Sequence, residues 1–134
     1  MTSVIEIEGV GEVYQKKLAA VGLANIEALL EKGATPKGRE EIAEQTGISS
    51  ALILRWVNFA DLFRIKGIGS EYSQLLEAAG VDTVPELAQR NPEHLLEKMT
   101  AVNAEKKLIR RLPVLSQVQS WVEQAKALPR LVTY

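Results

Sequence analysis

Two glycines around one apolar residue occur twice in this chain, as Gly9-Val10-Gly11 and, fifty-eight positions on, as Gly67-Ile68-Gly69. Each triplet has an apolar residue two positions before it, Ile7 or Ile65, and a helical pattern after it. Glycine takes backbone angles closed to other residues, so each triplet marks a tight turn between two helices. The central Val10 or Ile68 is suited to plug a core and set the angle between those helices. The second glycine opens the next helix, whose first amides have no intrahelical acceptor. Free amides at the positive end of a helix dipole form a small anion site. A turn that only joins two packed helices has the same sequence, so both roles stay open.

The copies extend well beyond the glycines. The same shift matches Tyr14 with Tyr72, Leu18 with Leu76, Ala20 with Ala78, Gly22 with Gly80 and Leu29 with Leu87. After a two-residue deletion, Thr35-Pro36 matches Asn91-Pro92, Leu52-Ile53 matches Leu108-Ile109, and Arg55 matches Arg111. Self-similarity over most of the chain indicates an internal duplication. The expected division is residues 1–61 for the first repeat, 62–112 for the second, and 113–134 for a C-terminal helix and tail.

Helix starts are well marked. Asn25, Thr35, Ser49, Asn91 and Ser116 are side chains that cap helices, and Pro36 and Pro92 follow their caps at the first helical position. In the second copy, helices are expected over 70–79, 84–90, 92–99 and 103–112, followed by one over 117–128. No stretch alternates apolar and polar residues for long enough to read as a strand. The expectation is an all-α protein packed as one compact, pseudo-two-fold helical domain.

Catalysis finds little to work with. Cysteine is absent and His94 is the single histidine, which removes thiolate chemistry, His-paired acid–base arrangements and the usual metal sites together. His94 falls in a first helical turn, facing solvent. Glu40, Glu41 and Glu44 read as a solvated helix face. Gly67-Ile68-Gly69 lacks the preceding strand and third glycine of a dinucleotide fingerprint. No enzyme activity, metal, cofactor or small-molecule substrate is therefore expected. The N-terminus carries no signal-peptide pattern and the apolar runs are too short to span a bilayer, so a cytoplasmic, non-membrane protein is the expectation.

The formal charge is −1, so no global field attracts a polyanion, and any phosphate contact must be local. Glu6, Glu8 and Glu12 crowd the first turn and repel phosphate; Gly9, Val10 and Gly11 therefore read as structural. At the second turn Lys66 and Ser70 replace two of those carboxylates and Arg64 is near, although Glu71 opposes them. Arg64, Lys66, Gly67, Ile68, Gly69 and Ser70 are the candidate phosphate contacts. Lys106, Lys107, Arg110 and Arg111 add a basic cluster, expected on adjoining stripes of one helix. That cluster is either a backbone-contacting face or a solvated face paired with Glu93, Glu97, Glu123 or a partner's acidic surface. Residues 41–49 resemble the first helix and turn of a helix-turn-helix. The stretch that would read bases, Ser50-Ala51-Leu52-Ile53-Leu54, is apolar, and base readout needs polar side chains there.

The glycine turns resemble the helix-hairpin-helix motif, which in the families carrying it grips nucleic-acid phosphates without reading sequence. Each repeat, from turn to the Ala43-Glu44-Gln45-Thr46-Gly47-Ile48-Ser49 segment, is similar to the N-terminal helix-hairpin-helix domain of archaeal recombinases. Over its full length the chain more closely resembles a mainly bacterial family of duplicated helix-hairpin-helix proteins of unknown function. The segments carrying that resemblance run over 33–39, Arg55-Trp56-Val57-Asn58, 77–83, 87–92 and 128–134. The resemblance implies a SAM-like tandem fold. Many DNA-binding members of the wider helix-hairpin-helix class place a basic residue just after the second glycine, where this chain has Val13 and Glu71. Two functional readings stand. One is sequence-nonspecific binding of DNA through its backbone. The other is a structural or protein-interaction module with purely architectural turns.

Overall fold

The computed structural model describes residues 2–134, and among these it contains helices and no strand. A 3-10 turn over Val4–Glu6 precedes α1 (Glu12–Ala19), α2 (Ile26–Gly33), α3 (Pro36–Thr46), α4 (Ser50–Leu62), α5 (Ser70–Ala78), α6 (Val84–Ala88), α7 (Pro92–Lys106) and α8 (Leu115–Ala127). A single antiparallel bridge joins Ser3 to Asn25. The all-α reading stands.

Local chemistry explains most boundaries. The side chains of Asn25, Thr35 and Asn91 accept from the amides of Ala28, Gly38 and His94 at 2.8, 3.1 and 3.0 Å. Each thereby satisfies an amide that the helix itself leaves without a partner. The Leu52 amide donates to Ser49 Oγ at 3.2 Å and starts α4. α3 closes on Gly47, which is left-handed with φ 74°.

The chain divides into two compact units. The first runs to Asp61 and takes in Leu131–Tyr134; the second is Leu62–Arg130. In the first, Val4, Ile7, Leu18, Leu29, Ile42, Ile53 and Trp56 are buried. α2 and α3 approach so closely that a Cβ at Gly38 would collide with the Lys32 carbonyl. The final residues close this unit: the Thr133 amide donates to the Ala34 carbonyl at 2.8 Å, and the Tyr134 hydroxyl donates to Asn58 Oδ1 at 3.0 Å.

The second unit has a core of Leu62, Ile65, Ile68, Leu75, Leu76, Val84, Leu87, Leu95, Met99, Val118, Trp121 and Val122, among others. α8 packs on α6 and α7, and α5 packs on α7. One expectation fails here. Residues 103–112 do not form a helix: α7 continues through Asn103 to Lys106, Lys107 turns left-handed at φ 52°, and irregular chain follows to Val114. Pro113 and the left-handed Lys107 together prevent helix from Lys107 to the start of α8.

Candidate functional site

The two glycine turns have the same local build. Gly9 and Gly67 have φ of 94° and 98°, while Val10 and Ile68 are buried. The amides of Val10 and Ile68 donate to the carbonyls of Ile7 and Ile65 at 3.1 and 3.2 Å. Beneath each first glycine lies an indole: a Cβ on Gly9 would stand 3.5 Å from Trp56 Nε1, and one on Gly67 would stand 2.9 Å from Trp121 Nε1. Each indole meets a tyrosine, Tyr14–Trp56 and Tyr72–Trp121, at 5.0 Å between ring centres. Trp121 thus does beside Gly67 what Trp56 does beside Gly9. The sequence held a signal for this, since Ile53, Trp56, Val57 and Ala60 reappear sixty-five positions on as Val118, Trp121, Val122 and Ala125. The match of Leu52-Ile53 to Leu108-Ile109 pointed elsewhere.

α1 and α5 open on Gly11 and Gly69 with no side-chain cap, so the amides of their first turn keep their hydrogen-bonding capacity for another acceptor. What surrounds those amides differs. Glu6, Glu8 and Glu12 are all exposed around the first turn. At the second, Lys66 is exposed, and its peptide is held on both sides by one side chain. The Lys66 amide donates to Gln124 Oε1 at 2.9 Å, and Gln124 Nε2 donates to the Lys66 carbonyl at 3.2 Å. Arg64 is half-buried and donates to the Pro129 carbonyl at 2.8 Å. Ser70 is half-buried as the first residue of α5, and Glu71 is exposed beside it.

The basic cluster is a loop rather than a helical face. Lys106 is the last residue of α7, Lys107 its left-handed cap, and Arg110 and Arg111 lie in the bend beyond. Asn103 clamps this loop as Gln124 clamps the turn: its Nδ2 donates to the Ile109 carbonyl at 3.1 Å, and its Oδ1 accepts from the Ile109 amide at 3.0 Å. Ile109 is buried, and all four basic side chains are exposed. Among the described residues none of the four has a carboxylate partner, and Glu123 pairs instead with Lys126 at 3.5 Å. The loop and the second turn are not at one point. Lys66 is tied to Gln124 near the end of α8, whereas Arg111 lies before the start of that helix at Leu115. Leu115 and Gln124 are about 14 Å apart along α8 at 1.5 Å per residue.

Other candidates resolve simply. His94 is exposed. No group of three or more His, Asp or Glu side chains that could hold a metal occurs among the described residues, and no helix there is long and apolar enough to cross a membrane. Ile53, at the start of α4, is buried and unavailable for base contact. Arg39, placed by its sequence among glutamates, is 6% exposed and donates to the carbonyls of Gly33, Ala34 and Thr133 at 2.9, 3.2 and 2.7 Å. Burial pushes its guanidinium below the ordinary arginine value, and Tyr134, whose ring lies 5.7 Å away, acts in the opposite direction. Glu41 is ion-paired with Lys32, and a hydrogen bond from that ammonium holds its carboxyl below the usual range.

Compared with known proteins, residues 8–128 match the family described as a domain of unknown function (DUF4332). No curated protein and no solved structure matches the chain. The match covers most of the sequence, and the chain belongs to that family.

Proposed function

We propose that this member of the DUF4332 family is a non-catalytic protein that binds nucleic acid through the phosphate backbone without sequence preference. In this reading the two glycine turns are duplicated helix-hairpin-helix units, the first architectural and the second a phosphate contact. The observation that carries it is the set of exposed, carboxylate-free basic side chains in the second unit, Lys66, Lys106, Lys107, Arg110 and Arg111. Gln124 and Asn103 each tie the neighbouring backbone, at Lys66 and at Ile109, by a pair of hydrogen bonds. Preorganised cations lose less entropy when they engage phosphate, and the uncapped start of α5 adds backbone donors.

The test is a fluorescence-anisotropy titration of labelled double- and single-stranded DNA at low and at physiological salt. With ~4 to 6 phosphates engaged, log K falls with log salt at a slope of about −4 to −5. Lys66→Glu and Lys107→Glu each weaken binding and make that slope shallower. Absence of saturable binding at low salt overturns the proposal. A second reading, a protein-interaction module, is favoured by one separate feature: an apolar groove on α7 lined by Leu96, Thr100, Ala101, Ala104 and Leu115.

A further inference from the structure

α7 carries a face that its own unit does not cover. Glu93, Glu97, Thr100, Ala101 and Ala104 recur at the spacing of one helix side, and all five are exposed, whereas Leu95 and Met99 point into the core. With the half-buried Leu96 and Leu115 they line a groove of about 600 Å³. The middle of that groove is small and apolar. The Thr100 hydroxyl already donates to the Leu96 carbonyl at 2.7 Å, so covering it strands no donor. Val114, 60% exposed, extends the apolar surface next to Leu115.

The charges at its ends identify what fits it. Glu93 and Glu97 stand at the N-terminal end. Lys107, the exposed left-handed cap of α7, stands at the other end of the helix. None of the three forms an ion pair among the described residues. A stripe that is acidic at one end, small in the middle and basic at the other is complementary to itself when reversed. Self-complementarity of one patch is the requirement of a two-fold interface between identical chains.

We propose that a second copy of this chain packs its α7 antiparallel against this groove. With the two-fold axis at Thr100–Ala101, Glu97 of each copy covers Ala104 of the other, and Glu93 of each meets the other's Lys107. Small residues at the crossing let the helices approach to the short end of the usual 8–10 Å. A helix of fifteen residues supplies less than the ~800 Å² per partner of a standard interface, so the dimer is weak and dissociates on dilution. This inference shares Lys107 with the proposed nucleic-acid contact, and Glu93→Lys, which lies outside that contact, tells the two apart.

Sedimentation velocity of the full chain from the micromolar to the millimolar range tests it. Expected is a monomer–dimer equilibrium weakened by salt, with Glu93→Lys raising the dissociation constant about tenfold. Glu93→Lys combined with Lys107→Glu restores the dimer. Glu93 is exposed, so its substitution keeps the helix content of the parent, checked by circular dichroism; Ala104→Glu is the second variant, placed at the centre of the groove. A chain that is monomeric throughout overturns the proposal. So does a dimer indifferent to both Glu93→Lys and Ala104→Glu, and so does a monomer whose groove takes up a basic amphipathic peptide instead.

Discussion

The amide side chain of Gln124 closes on the Lys66 peptide from both directions, accepting from its N–H at 2.9 Å and donating to its carbonyl at 3.2 Å. A single side chain thus fixes the turn's entry while leaving the Lys66 ammonium in solvent. Gln124→Ala removes both bonds from a partly exposed site, at a cost of about 0.5–1.5 kcal/mol. Amide hydrogen exchange at residues 66–69 should speed up, and DNA affinity should fall although no charge is lost. Unchanged exchange there would mean that the turn is rigid without the clamp.

Gly67 and Gly9 differ in what lies beneath them. Both hold positive φ, so Gly→Ala at either is strained and costs about 1 kcal/mol or more. At Gly67 the new methyl also presses on Trp121 Nε1 at 2.9 Å, against 3.5 Å from Trp56 Nε1 at Gly9. Urea denaturation should rank Gly67→Ala as the more destabilising of the two.

Lys107 pays for its left-handed backbone without being glycine. Lys107→Gly should stabilise the protein by about 0.5–1 kcal/mol while lowering nucleic-acid affinity through the lost charge. A thermal melt and an anisotropy titration on the same variant separate the two effects. A fall in melting temperature would contradict the strain argument.

Arg39→Met removes the donor shared by three carbonyls inside the first unit. The Gly33 and Thr133 carbonyls lose a donor while Ala34 keeps the Thr133 amide, an expected loss of about 2–4 kcal/mol. Amide exchange at Thr133, whose N–H donates to Ala34, should quicken more than at Ile42 in the core. Equal changes at both would place the damage elsewhere.

Glu41 is the pH-sensitive member of the exposed Lys32 pair. Its pKa is depressed in the folded protein, so whatever stability the pair adds is present above the unfolded carboxylate range. That contribution disappears as the pH falls through the folded value. Thermal melts of the parent and Glu41→Gln should therefore converge on acidification. Being at the surface, the pair contributes little, and a large gap at neutral pH would be unexpected.

Most helix starts and the glycine turns were legible because their causes are local, whereas Ser116, expected as a cap, lies inside α8, which starts at Leu115 on an N-cap of Val114. Asn25, Thr35 and Asn91 reach amides three residues on, and apolar periodicity supplied the all-α fold. The loop after α7 was not legible, because Leu108-Ile109 continues an apolar pattern and the Asn103 clamp that closes the loop is visible only in three dimensions. Arg39 went unread for a related reason: it sits beside Glu40 and Glu41, yet one of its acceptors lies ninety-four residues away. Of the candidate phosphate contacts, Lys66 stands exposed as expected, whereas Arg64 is committed to the Pro129 carbonyl.

That distant acceptor bears on how the chain matures as it leaves the ribosome. The second unit is one uninterrupted segment, Leu62–Arg130, but the first draws on residues from both sides of it. Arg39 and Ala34 emerge early and wait for Thr133, and Asn58 waits for Tyr134. The first unit is therefore completed only after the second has been synthesised, and until then Arg39 is short of one acceptor.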